Sequence, residues 1–205
     1  MSETVALSIH NVTKNFGGLV AVDRMTFDIR EHEVFGIIGP NGSGKTTMLN
    51  LISGMLKRSS GRVKLYGRDI SGRSANRIAR HGVARTFQLV RTLPTMTVGE
   101  NIAAGGVFGY RRYWNEDLDR RVNYMVSQVG LAGKETMPVG ALTYIDQKRV
   151  ELARALMSDP KLLLLDEWLA GLNPTEMKTG INLINGLRYE GRTLIIVEHY
   201  MDAIR

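Results

Sequence analysis

Val34-Phe35-Gly36-Ile37-Ile38 runs into Gly39-Pro40-Asn41-Gly42-Ser43-Gly44-Lys45-Thr46-Thr47, and the reading of this junction decides the fold. A continuous apolar run closed by glycine reads as a buried strand, and Thr46 to Leu56 then carries Met48, Leu49 and Ile52 at helical spacing. The loop between them fits the pattern G-x-x-x-x-G-K-[ST]. Glycines let its backbone N–H groups converge on phosphate oxygens, and the N-terminal end of the helix adds its positive dipole. Lys45 is expected at the β- and γ-phosphates of a nucleotide, and Thr46 offers a hydroxyl to Mg²⁺. ATP and Mg²⁺ are the expected cofactors.

A second stretch answers the first. Leu162-Leu163-Leu164-Leu165-Asp166-Glu167 places two carboxylates at the C-terminal end of a buried strand, where open α/β sheets put their ligands. Asp166 is assigned to the Mg²⁺ shell, and Glu167 to orienting and deprotonating an attacking water. Taken alone, the same residues read equally well as a core strand with an acidic cap.

Outward from these two stretches, Val5 to Val12 and Met25 to Ile29 alternate as half-buried strands around Gly17-Gly18, and Arg62 to Tyr66 continues that β-rich layer. Asn76 to Arg80 reads as a short basic helix before a strand at Val83 to Phe87. Gly99 to Gly133 has helical stretches, notably Asp117 to Val129, and no strand pattern. Ile145 to Met157 is a helix, Pro160 breaks the chain, and Lys161 to Leu165 is the buried strand. A helix at Glu176 to Tyr189 and a strand at Thr193 to Val197 restore the alternation of a parallel sheet.

The chain has 205 residues, of which 43% are hydrophobic and 23% charged, which fits one globular domain and excludes a disordered or fibrous protein. It contains no cysteine, so disulfides, thiolate metal sites and thiol nucleophiles are excluded. No apolar run approaches the roughly 20 residues of a membrane span, and the N-terminus lacks a basic leader with an apolar core. A cytoplasmic chain is the expectation. The net charge of +7 suits nucleotides, nucleic acid, acidic lipid or an acidic protein surface alike.

In order and spacing, GPNGSGKTT, ARTFQ, LTYIDQKRVELARAL, LLLLDE, AGLNP and IIVEH resemble an ATP-binding-cassette ATPase of the ABC transporter family, over essentially the whole chain. FGGLVAVD, RTFQLVRTLPTMTVGENI and EWLAGLNPTE are similar to the ATP-binding subunits of branched-chain amino acid importers. The resemblance implies an α/β P-loop NTPase with a RecA-like core sheet, an N-terminal antiparallel β layer and a helical subdomain at about 89–158, all in one domain spanning 1–205. It also implies a tail beyond His199, so the chain reads as truncated relative to the family.

The resemblance makes Phe16 the aromatic that stacks on adenine, Gln88 the loop glutamine that senses Mg²⁺ and couples to the membrane subunit, and His199 the switch histidine near the γ-phosphate. Each has a plainer reading, as a core aromatic, a surface polar residue and a helix-starting histidine. Transmembrane permease subunits and a second ATPase subunit are the implied partners, at the cytoplasmic face of the plasma membrane. Import of branched-chain amino acids is the implied function, with a catalytically weakened partner subunit, or another transport system such as lipopolysaccharide export, as alternatives.

The sequence departs from the family where a Leu-Ser-Gly-Gly-Gln signature is usual and Leu142-Thr143-Tyr144-Ile145-Asp146 stands instead. Thr143 keeps a hydroxyl for a partner's γ-phosphate, Tyr144 and Ile145 stand in the approach, and Asp146 is available to cap the next helix. Trp168 replaces a common proline and reads as a packing residue. Arg73, Arg77, Arg80, Arg85 and Arg91 flank Gln88 as a basic surface, read as a solvated face used in docking. With Phe87 the one aromatic among them, nucleic acid is not an expected partner.

Overall fold

The computed structural model describes residues 4–198. Calls on His199 and the residues after it lie outside that range. β1 (Val5–Phe16) and β2 (Leu19–Arg30) form an antiparallel hairpin that turns at Gly17-Gly18. Both strands are longer than their alternating segments. The ladder continues through register shifts between Ile9 and Asn15, where alternation fails but backbone pairing does not. β4 (Ser60–Leu65) pairs with β1, and β5 (Arg68–Asp69) with β4, giving an antiparallel sheet in the order β2-β1-β4-β5.

The second sheet is parallel, in the order β3-β8-β7-β6, from β3 (Val34–Ile37), β6 (Val83–Arg85), β7 (Leu162–Asp166) and β8 (Thr193–Val197). β7 and β8 are buried along their whole length. Leu162 and Leu164 face a core built with Leu7, Ile9 and the helix α1 (Lys45–Ile52), whereas Leu163 and Leu165 face one built with the helices. Period two therefore sorts one strand's leucines between two cores, and an unbroken apolar run is the pattern such a strand requires.

The short helix α2 (Ala75–Ala79) precedes β6. α3 (Val98–Phe108) and α4 (Asn115–Gln128) pack with α5 (Tyr144–Met157), which follows a 3₁₀ turn at Val139–Ala141. Thr97 and Glu100 form a capping box that starts α3. α3 and α5 touch closely at Gly105, where a Cβ would lie 2.1 Å from the Arg154 carbonyl oxygen. α6 (Pro174–Tyr189) begins two residues before the predicted Glu176, because Asn173 caps it, Glu176 closes the box and Pro174 suits the first turn.

Trp168, one residue beyond the acidic pair, is fully buried. Its indole N–H donates to the Lys148 carbonyl at 3.3 Å, and the Lys148 ammonium donates to the Trp168 carbonyl at 2.9 Å. Lys148 is itself buried, which pushes its pKa down, while Glu151, Glu198 and Glu167 oppose that shift. The two reciprocal bonds fasten α5 to the turn after β7. Trp168→Ala is expected to cost about 3–5 kcal/mol in denaturant unfolding, as for other large-to-small changes of buried aromatics. A loss under about 1 kcal/mol would contradict this packing.

Candidate nucleotide site

Asn41, Gly42, Gly44, Lys45, Thr46, Thr47, Gln88 and Glu167 line one cleft of about 220 Å³. Three separate parts of the chain build it. The loop after β3 wraps the N-terminus of α1, with Gly44 as the N-cap at φ 91°. Glycine is required there twice over, since that φ is left-handed and a Cβ would lie 2.4 Å from the Ala21 carbonyl oxygen. Lys45 is nearly buried and its Nζ donates to the carbonyls of Gly39 and Pro40 at 2.8 and 2.9 Å, so the ammonium lies inside the loop.

The end of β7 contributes the carboxylates. Asp166 is buried, and its Oδ1 accepts from the Thr46 hydroxyl at 3.5 Å. Glu167 sits at φ 47°, a left-handed conformation that a non-glycine residue seldom adopts. Its N–H donates to the Val197 carbonyl at 2.9 Å, and its Oε2 accepts from the Gln88 amide at 2.6 Å. This last bond joins the loop after β6 to the acidic strand end, and it leaves the Gln88 amide oxygen as an acceptor.

Thr46, Asp166, Gln88 and Glu167 offer only oxygen ligands here, the donor set of a hard cation. Adjacent oxygens around an octahedral Mg²⁺ lie about 3 Å apart, near the Thr46–Asp166 separation. No group of three or more acidic, histidine or cysteine residues able to hold a metal occurs among the described residues. The set therefore fits Mg²⁺ arriving with phosphate oxygens rather than a cage made of protein alone. A larger concavity of about 780 Å³ is lined by Lys57, Asp69, Arg73 and Arg77, away from the loop and both carboxylates. Converging chemistry, not volume, marks the site.

Other expected site residues do not line this cleft, although the concavity that holds three of them shares Gly44 and Lys45 with it. Gly39, Pro40 and Ser43 line a neighbouring concavity between the β layer and β3. Phe16 ends β1, half-exposed, with the Lys14 ammonium 4.7 Å from its ring centre. Thr143 is the N-cap of α5, and its hydroxyl accepts from the Asp146 N–H at 3.4 Å. That assigns the cap to Thr143 and corrects the expectation for Asp146. Asp146 is the third residue of the helix, with its carboxylate bonded to Lys134 and Arg149 at 2.6 and 2.9 Å. Ile145 is turned into the core, whereas Thr143 and Tyr144 are exposed, Tyr144 at 42%.

The basic surface also needs correction. Arg85 is not solvated; its side chain is 6% exposed and its guanidinium meets Asp166 at 2.6 Å. In the sequence it is one of five arginines spread over residues 73–91, and its partner Asp166 is far along the chain. What encloses it is the pairing of β6 with the fully buried β7, which the spacing of the arginines does not reveal.

A family model described as ABC transporter matches residues 22–170. The chain belongs to the ABC transporter family. It is 38% identical over 213 aligned positions to the high-affinity branched-chain amino acid transport ATP-binding protein LivG of Salmonella typhimurium, covering 97% of this chain and 83% of that protein. A nucleotide-free ATP-binding cassette from an ABC transporter superposes with a TM-score of 0.87 at 32% identity, over 98% of this chain and 83% of that one. A dimeric post-hydrolysis cassette bound to ADP and phosphate gives 0.85 at 26% identity, over 97% and 90%. The antiparallel layer, the parallel sheet and the helices are those of an ATP-binding cassette. Gly44→Ala is expected to weaken ATP binding at least about tenfold in an equilibrium fluorescence titration, because the loop must shift off the Ala21 carbonyl. Unchanged affinity would show that the loop tolerates a side chain there.

Proposed function

We propose that the chain is the ATP-hydrolysing subunit of an importer, with branched-chain amino acids as the transported class. The bond from Gln88 to Glu167, within a cleft that also holds Lys45 and Thr46, carries the catalytic part of this reading. The likeness to LivG supports the substrate class. Lys45 exchanges its carbonyl partners for the β- and γ-phosphates, and the amides of Asn41 to Thr47 bind the phosphate oxygens. Thr46, Asp166 and the Gln88 amide oxygen hold Mg²⁺, which neutralises phosphate charge when bound. Glu167 takes a proton from the attacking water as oxygen adds to the γ-phosphorus and the bond to ADP breaks. Gln88 keeps that carboxylate aimed.

Within the same proposal, residues 1–205 form one cassette domain, Phe16 stacks on adenine, and His199 contacts the γ-phosphate. Thr143 serves the nucleotide of a second ATPase subunit in a head-to-tail pair; the dimeric cassette relative is a precedent for pairing itself. No helix among the described residues is long and apolar enough to cross a membrane, so the proposed place is peripheral, against permease subunits at the cytoplasmic face. Tyr144 projecting from the start of α5 favours a second reading, in which this chain completes its partner's site poorly. Phosphate release by the chain alone and with a related ATPase subunit separates the two.

Glu167→Gln is expected to bind ATP within about threefold of the parent and to release phosphate at least about a hundredfold more slowly. Turnover within a factor of about two of the parent would remove Glu167 from the proton transfer.

A further inference from the structure

Arg85 makes a fork that no part of the nucleotide chemistry described above uses. Its Nη2 donates to Asp166 Oδ2 at 2.6 Å, and its Nη1 donates to Asn50 Oδ1 at 2.6 Å and to Ser53 Oγ at 3.2 Å. The ion pair is enclosed, with side-chain exposures of 6% and 2%. Asn50 lies on α1 one turn after Thr46, on the same face of the helix, and Ser53 is the C-cap of that helix. One planar cation therefore ties the helix that carries Lys45 and Thr46 to the end of the strand that carries Asp166.

The carboxylate of Asp166 has two equivalent oxygens. Arg85 holds Oδ2, and Oδ1 is thereby left facing the Thr46 hydroxyl at 3.5 Å. We propose that Arg85 is a positioning residue that fixes the separation and orientation of Thr46 and Asp166, and so sets the divalent-cation affinity of the nucleotide cleft. This rests on the reading of the cleft as a Mg²⁺–nucleotide site. The positive charge of Arg85 works against a cation held by the same carboxylate, whereas the fixed geometry works for it. The two effects predict opposite signs. Outer-shell partners that orient metal ligands commonly matter by about 10–100-fold in metal affinity, and bidentate guanidinium geometry is what a lysine cannot reproduce.

The test is equilibrium binding of a fluorescent ATP analogue to the full chain, across a Mg²⁺ titration and in EDTA, alongside the Mg²⁺ dependence of phosphate release. Arg85→Gln is expected to raise the Mg²⁺ concentration for half-saturation about tenfold or more, with affinity in EDTA within about twofold of the parent. Asn50→Ala keeps the ion pair and the longer bond to Ser53 but loses the shorter anchor on α1, and an increase of about threefold is expected. Arg85→Lys should fall between the parent and Arg85→Gln. A Mg²⁺ requirement unchanged or lowered in Arg85→Gln overturns the proposal, as does an equal loss with and without Mg²⁺. Should Arg85→Gln fail to fold, Asn50→Ala decides by the same criteria. A parent chain with no Mg²⁺-dependent nucleotide binding overturns the reading of the site itself, and this proposal with it.

Discussion

β7 is buried on both faces, with Leu162 and Leu164 in one core and Leu163 and Leu165 in the other, and this double burial governs where the molecule can put charge. An interior closed on both sides excludes water from a carboxylate anywhere along the strand, so the two acids stand at its end, where the sheet opens. Even there Asp166 is 1% exposed, and its charge is tolerable because Arg85 and Thr46 receive it. The loop after β3 reaches the same place because β3 and β7 flank β8 in one parallel sheet and end on the same side. Burial sets the address of the chemistry, and the neighbouring strands bring the phosphate loop to it.

Local signals were the readable ones. The loop from Gly39 to Thr47 announces itself because its glycines, lysine and threonines are consecutive, and β8 at Thr193–Val197 needs only an apolar run. The cassette fold was legible through several such stretches in order. Hairpin lengths were not, because ladder bonds carry β1 to Phe16 and start β2 at Leu19 regardless of side-chain alternation. Arg85 was misread for a different reason. Its partner Asp166 lies 81 positions away, and nothing in a one-dimensional run of arginines distinguishes the buried one from the solvated ones.

Thr143 and Asp146 show how moving a helix cap by three residues changes roles. With α5 beginning at Tyr144, the hydroxyl takes the cap and the carboxylate becomes a first-turn residue held by Lys134 and Arg149. Trp168 was legible as a packing residue, but the Lys148 ammonium beneath it was not, since a lysine in a helix ordinarily reads as a solvent contact. These are the positions where tertiary context outweighs residue type.

Glu167 holds a backbone shape that glycine or asparagine would adopt with less strain. Holding an acid there costs on the order of 1–2 kcal/mol. Mutation at this position therefore meets opposed pressures, because replacements that relax the chain are the ones that discard the carboxylate. Relief of that strain by glycine or asparagine therefore comes only with loss of the carboxylate that accepts from the Gln88 amide.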